Sequence, residues 1–126
     1  MMKPYKPTNS ELEILQVLWD QGPSSVRIVN EELNKKKDSG YTTTLKLMQI
    51  MTEKGLTSRD TSARTHIYTA LASEHKTKSN LLQRFVSTTF KGSAGKLVMS
   101  ALGSGAASQE ELADIKALIA KLEDKS

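Results

Sequence analysis

The spacing of the apolar residues changes at Gly55, and this change constrains the fold more than any other feature of the chain. Before Gly55, apolar residues recur at the intervals of one face of an α-helix. After it come two short runs rich in threonine, isoleucine and tyrosine, LTSRD and RTHIYTAL, which the tripeptide TSA separates. Such a pair of runs is typical of a β-hairpin. The sequence therefore predicts helices before Gly55 and a small hairpin after it.

Capping and turn residues divide the part before Gly55 into three helices. The sequence TNSE at residues 8–11 has the form of a capping box, and the Gly-Pro pair at residues 22–23 ends the first helix. We expect Ser24 to cap the second helix, a turn at residues 38–40, and Gly55 as the C-cap of the third helix. Three helices plus a small β-hairpin wing are the element order of a winged helix-turn-helix, so we predict a mainly α fold of this type.

Helical spacing returns after the hairpin at residues 74–91 and 94–102, and again at 109–125 beyond a GSGAAS joint. We therefore divide the chain into a winged-helix domain, 1–72, and a helical region, 73–126. The helical region carries two sets of large apolar residues: Leu81, Leu82, Phe85 and Phe90, then Leu112, Ile115, Leu118, Ile119 and Leu122. Burying such side chains is favourable, so we expect a second copy of the chain to bury them in a dimer interface. The alternative is that they fold back on the winged helix.

The third helix has two different faces. The core is expected to receive Thr44, Leu47, Met48 and Met51, and the opposite side carries Thr42, Thr43, Lys46, Gln49 and Glu53. Small hydroxyl side chains in a first turn let a phosphate approach the free backbone N–H groups. Lysine and glutamine one turn further on can bind guanine or adenine edges. This pattern favours duplex DNA as the partner; the alternative is that a threonine caps the helix and the polar side chains are only solvated.

Basic side chains lie on or beside the predicted hairpin turn, where a wing would meet the DNA backbone: Arg59, Arg64 and His66. We expect Arg64 to contact phosphate, with a solvated arginine as the alternative. Leu45 and Ile50 extend apolar surface toward the polar side of the third helix, which suits a wider core, thymine methyl groups or a protein partner. A winged-helix protein-interaction module without specific DNA binding is therefore the alternative function. The salt dependence of duplex binding separates the two.

Composition excludes several other classes. The net charge of +4 permits an anionic partner, and the absence of cysteine excludes disulfides and fits a reducing cytoplasm. No run approaches the roughly 18 apolar residues of a membrane span, so we expect a cytoplasmic protein without membrane insertion. His66 and His75 are accompanied by no nucleophile motif, Gly-rich phosphate loop or metal-ligand spacing. We therefore expect no enzyme activity, no cofactor and no metal site.

Four blocks of the chain, SELEILQVLWDQG, YTTTLKLMQIMTEKGL, ARTHIY and FKGSAGKLVMSAL, resemble the penicillinase and methicillin-resistance repressor family (BlaI/MecI type). The blocks span nearly the whole chain, and the first two, at this spacing, are rather specific. The resemblance implies a homodimeric transcriptional repressor with an N-terminal winged helix that binds double-stranded operator DNA, and a C-terminal helical dimerisation region. It also implies that the operator meets Tyr41, Thr42, Thr43 and Lys46, with Arg64 on the wing.

Three departures from the family pattern concern induction and the wing. Relatives that respond to β-lactams are inactivated by cleavage of an Asn-Phe bond, and Ser100 and Ala101 stand at the matching place here. Copper-responsive relatives bind metal through a cysteine-rich tail, which a chain without cysteine cannot do. The glycine usual before the wing arginine is replaced by Ala63. The resemblance thus leaves a membrane sensor-protease open as a partner and carries over no inducing signal.

Overall fold

A computed structural model describes residues 6–125, which form six helices and one two-stranded antiparallel sheet. In chain order the elements are α1 (Asn9–Gln21), α2 (Val26–Asn34), α3 (Tyr41–Glu53), β1 (Thr57–Asp60), β2 (Ile67–Ala70), α4 (Glu74–Thr89), α5 (Ala94–Gly103) and α6 (Gln109–Asp124). The predicted order of three helices, a hairpin and further helices is confirmed. The chain divides into two compact units at the bond between Leu81 and Leu82, within α4.

The predicted start and end of α1 are confirmed. The hydroxyl of Thr8 accepts the backbone N–H of Glu11 at 3.2 Å, and the Glu11 carboxylate accepts the backbone N–H of Thr8 at 2.9 Å. At the other end, Gly22 has a φ of 83°, a backbone conformation that residues with a Cβ rarely adopt. Both ends are therefore fixed by local chemistry that the sequence displays.

Two predicted caps were wrong by one residue. Ser25, not Ser24, caps α2, and its hydroxyl accepts the backbone N–H of Ile28 at 3.3 Å. Ser24 is instead extended and exchanges two backbone hydrogen bonds with Tyr68, at 3.0 and 2.9 Å, which adds a bridge to the sheet. The C-cap of α3 is Lys54, and Gly55, with a φ of 84°, is the left-handed residue that follows it.

The hairpin pairs Thr57 with Ala70 and Asp60 with Ile67, so its connecting loop is residues 61–66. This loop is longer than the predicted TSA turn, because the first three residues of the run RTHIYTAL, His66 included, lie in the loop and not on the second strand as that run predicted. The Asp60 carboxylate accepts the backbone N–H of Ser62 at 2.9 Å. Aspartate side chains favour turns by bonding the backbone two residues on, and this bond begins the loop directly after β1.

The core of the first unit lies between the three helices and the sheet. Its buried apolar residues are Ile14, Leu15, Leu18, Val26, Val29, Met48, Met51, Leu56 and Tyr68. From α3, Thr44 is also buried, whereas Leu47, expected in the core, is only partly buried. Leu45 and Leu47 both pack against the core from its edge, because α3 presents a broader apolar face than the predicted stripe.

The second unit is built from the rest of α4, α5 and α6. Ser93 caps α5, and Ser108 with Glu111 forms a capping box at the start of α6. The rings of Phe85 and Phe90 contact edge to face, with centroids 5.7 Å apart. No residue of these three helices is buried. Across residues 6–125, no helix combines the length and the apolar character needed to cross a membrane.

Candidate nucleic-acid interface

The N-terminus of α3 has no side-chain cap. Its N-cap residue is Gly40, whose backbone is extended at φ −70° and ψ 141°, and the described residues provide no side-chain cap hydrogen bond there. The alternative that Thr42 or Thr43 caps this helix is therefore wrong, and both threonines are exposed. The first backbone N–H groups of a helix have no partner within it. They remain available to an external acceptor such as a phosphate oxygen.

One side of α3 is exposed and polar, and we call it the recognition face (Tyr41, Thr42, Thr43, Lys46 and Gln49). All five side chains are exposed, with Tyr41 at 51% of its full accessibility. The sequence left the roles of Leu45 and Ile50 open. Leu45 is partly buried and packs against the core, so it belongs to the core. Ile50 is 37% exposed and lies one helical turn after Lys46.

The wing consists of β1, β2 and the loop 61–66. Arg59 lies on β1, and Arg64 and His66 lie in the loop; all three side chains are exposed. Asp60 is the acid at the base of this loop. The backbone N–H of Ser62, followed by the Ser62 side chain, holds the pKa of the Asp60 carboxyl below its usual value, with a smaller contribution from His66. Asp60 is therefore anionic near neutral pH and offsets part of the positive charge of the wing.

The cations of this region lack carboxylate partners. Among the described residues, no ion pair within 4.0 Å involves Lys46, Arg59 or Arg64. By contrast, Lys35 contacts Glu32 at 2.7 Å. The charges of Lys46 and the two arginines are thus free to attract an anion. Residues 6–125 contain no group of three or more histidine, aspartate or glutamate side chains arranged to hold a metal ion.

An ion pair with the buried Glu11 holds the C-terminal end of α3, and the sequence did not predict it. Glu11 is 1% exposed, and its carboxylate accepts a hydrogen bond from the Lys54 ammonium at 2.8 Å. Burial raises the pKa of Glu11, but the bonds from Lys54 and from Thr8 outweigh it and leave the pKa below its usual value. The capping box predicted the role of Glu11 in α1, but no local signal pointed to its partner at the end of α3.

None of the proposed dimerisation residues is buried. Leu82, Phe85, Leu118, Ile119 and Leu122 are exposed, and Leu81, Phe90, Leu112 and Ile115 are partly buried. Two further large apolar side chains that are exposed on α5 were missed, Val98 and Met99, the latter at 75%. The apolar run AGKLVMSAL could have indicated them, but it was assigned only to a helix and not to an exposed surface.

Comparison with known proteins agrees with these elements. The MecI methicillin resistance regulatory protein of Staphylococcus aureus strain N315 is 24% identical over 119 residues, covering 94% of this chain and 97% of the relative. MecI of Mammaliicoccus sciuri is 23% identical over the same length. The solution structure of the DNA binding domain of the repressor BlaI superposes with a TM-score of 0.52 at 24% identity, covering 59% of this chain and 90% of that domain, which confirms the winged-helix fold. The model of the penicillinase repressor family matches residues 7–121, and the chain belongs to this family.

Proposed function

We propose that the protein is a homodimeric transcriptional repressor that binds an operator duplex through α3 and the β-wing. The observation that carries the proposal is the recognition face, where an uncapped helix N-terminus stands beside exposed hydroxyls and Lys46, a cation without a carboxylate partner among the described residues. Helix N-termini favour anions through their free N–H groups and dipole, and lysine supplies a full charge. The BlaI domain of the same fold is a DNA binding domain, which supports the same function here.

The proposed contacts fall into two classes. Tyr41, Thr42 and Thr43 approach the phosphate backbone and adjacent base edges, and Lys46 and Gln49, one turn further on, read guanine and adenine edges in the major groove. Arg64 and His66 meet the backbone from the wing. Phosphate contacts position a protein on the duplex and base contacts discriminate between sequences. The recognition face therefore supplies the specificity, and the wing supplies affinity without sequence preference.

Dimerisation belongs to residues 73–126 in this proposal, and DNA binding to residues 1–72. The nine predicted dimerisation residues are all large and apolar, and none is buried. Fully burying such a side chain contributes about 1.5–3 kcal/mol. A second copy of the chain offers a matching surface, because identical patches meet in a two-fold symmetric dimer. Each protomer then contributes one recognition face to the operator.

One feature favours the alternative, a protein-interaction module: Tyr41 and Ile50 expose apolar surface on α3. The test is to select duplexes from a random-sequence library with the full chain and to measure affinity for the selected duplex between about 50 and 200 mM salt. Each phosphate contact lowers the slope of log affinity against log salt by about 0.9. A steep slope with an enriched sequence supports the repressor, whereas no enriched sequence at low salt overturns it.

A further inference from the structure

We infer that Asn30 and Asn34, on α2, are positioning residues that fix the N-terminus of α3 for operator recognition. The inference rests on the proposed function and assigns part of its specificity to side chains outside the recognition face. The two asparagines are four residues apart, so they share one side of α2. That side faces the turn at residues 38–40, which leads into α3.

The side-chain amides of Asn30 and Asn34 bind both the carbonyl and the N–H of Ser39. Asn30 Nδ2 donates to the Ser39 carbonyl at 2.9 Å, and Asn34 Nδ2 donates to the same carbonyl at 3.0 Å. In return, the Ser39 N–H donates to Asn34 Oδ1 at 2.9 Å. No backbone–backbone hydrogen bond among residues 6–125 uses either Ser39 group. The position of this residue therefore depends on asparagine side chains and not on secondary structure.

The same network reaches the first turn of α3. Asn30 Nδ2 also donates to the hydroxyl of Thr44 at 2.9 Å, and that hydroxyl donates to the Gly40 carbonyl at 3.2 Å. Thr44 is 1% exposed, so the bond lies beneath the helix start. Gly40, the N-cap residue, has no side chain that could cap the helix. One amide thus links the turn to the helix that follows it.

This linkage matters because recognition needs a fixed geometry. Binding groups must be held within about 0.5 Å of the productive position, and ordering them during binding would cost free energy. A glycine at the N-cap and the short turn at residues 38–40 do not by themselves hold the start of α3 rigidly in place. The asparagines hold the Thr42 and Thr43 region in place before DNA arrives. They act on the operator through α3 and make no contact with it in this proposal.

The test uses Asn30→Ala and Asn34→Ala, which add no charge near the DNA and leave α2 with a better helix former. Asn80→Ala is the matched control, because Asn80 is exposed on α4 and makes no side-chain hydrogen bond within the described residues. The probes are the duplex that the wild-type chain selects from a random library and a scrambled duplex of the same composition. Affinity for both is measured with each variant, together with amide hydrogen exchange at Ser39.

We expect each α2 variant to lose about tenfold in affinity for the selected duplex, the size of one base contact, with little change for the scrambled duplex. Exchange at Ser39 should accelerate in Asn34→Ala, and Asn80→Ala should match the wild type. An unchanged ratio of the two affinities overturns the inference, since a mere loss of folded protein lowers both equally. If Asn30→Ala does not fold, Asn34→Ala, an exposed position, decides the question. If the wild type selects no duplex, the proposed function fails and the inference falls with it.

Discussion

Glu11 joins two distant parts of the winged helix through one carboxylate. It closes the capping box of α1 with Thr8 and pairs with Lys54 at the end of α3, 43 residues later. A buried charge is costly unless its hydrogen bonds are satisfied, and here the carboxylate has partners on both oxygens. The pair therefore fixes the C-terminal end of α3 to the start of α1.

Glu11→Gln should lower stability at neutral pH but not at acid pH. Glutamine keeps the capping box and loses the charge, and a hydrogen bond to a charged group contributes about 1.5–3 kcal/mol, toward the low end here because Lys54 is partly exposed. The folded-state pKa of Glu11 lies below its ordinary value of 4.5, so the wild type holds its full advantage above that value and loses it as pH falls through the folded pKa.

Urea unfolding at a series of pH values from neutral to about 3 measures this difference. Glu110→Gln is the control, because Glu110 is exposed and makes no ion pair within the described residues. A constant gap between Glu11→Gln and the wild type across the whole series would contradict the role of the charge.

Thr43→Ala and Lys46→Ala should each weaken binding to the selected duplex by about 1–3 kcal/mol, the range for a good base contact. Both side chains are exposed, and removing them leaves the core untouched, so the unfolding midpoint should not change. Lys116→Ala on α6 removes an exposed lysine outside the winged helix and serves as the control. Fluorescence anisotropy gives the affinities. Wild-type affinity in both variants would mean that the recognition face is misassigned.

At the scale of elements, the sequence predicted what local chemistry decides. The TNSE box and Gly22 define α1 because a cap and a left-handed glycine act within a few residues. Ser24 was misassigned because its partner, Tyr68, lies far along the chain and only the folded hairpin brings it near. A serine can cap a helix or extend a sheet, and only tertiary pairing decides between these roles.

The candidate site shows the same limit. The polar side of α3 was predictable from helical spacing, and the described residues place its five side chains on the exposed surface. The spacing could not decide between Leu45 and Ile50, which differ in burial only because the core extends to one side of the helix. The asparagine contacts with Ser39 depend on how α2 and α3 pack, and no pattern in either helix alone predicts them.

The wing should contribute to affinity and not to sequence discrimination. Arg64→Ala is expected to weaken binding to selected and scrambled duplexes alike and to reduce the salt slope by about one phosphate contact. The loop holds Arg64 exposed and without a carboxylate partner among the described residues. Arg84→Ala, on α4, is the control for a lost positive charge. An unchanged salt slope in Arg64→Ala would remove this arginine from the interface.

Helix α5 contains the Ser100–Ala101 bond, which stands at the place that matches the cleavage site of the β-lactam-responsive relatives. The Ser100 carbonyl accepts the backbone N–H of Ser104 at 3.2 Å, so the bond lies in hydrogen-bonded helix. We expect no cleavage there by an activated sensor protease that cuts Asn-Phe bonds, since serine and alanine differ from that pair in size and polarity. Incubation followed by mass measurement of fragments tests this, with an Asn-Phe version of the site, Ser100→Asn with Ala101→Phe, as the positive control. A clean cut in the wild-type chain would contradict the expectation.

At the scale of the whole molecule, the two units differ in how their apolar side chains are covered. The first unit buries nine apolar residues in its own core. The second buries none of its described side chains, although α6 alone carries five of the predicted dimerisation residues. Exposed apolar surface of this extent on a folded protein is typical of an interaction surface. The units therefore suit different tasks, and the second carries eight of the nine proposed dimerisation residues, all except Leu81.

Two recognition faces in one dimer should bind an operator far more tightly than one. Joining them makes the second contact intramolecular, at an effective concentration that reaches the millimolar range. Half-sites should lie roughly 10 base pairs apart, or a multiple of this spacing, so that both faces meet the same side of the duplex. Sedimentation of the full chain at micromolar concentration should give a dimer, and a monomer there would refute the model.

A fragment ending at Ala72 should fold, sediment as a monomer and bind the selected duplex at least about 100-fold more weakly. Its last residues are held by the first unit, because the Trp19 indole donates to the Ala72 carbonyl at 2.9 Å and the Ala72 N–H bonds Leu56. Leu118→Glu in the full chain should have the same effect without truncation, since an unpaired carboxylate in an apolar interface is costly. Ala113→Glu, at an exposed position on the same helix outside the predicted apolar set, is its control. If the fragment binds as tightly as the full chain, dimerisation is not the source of affinity.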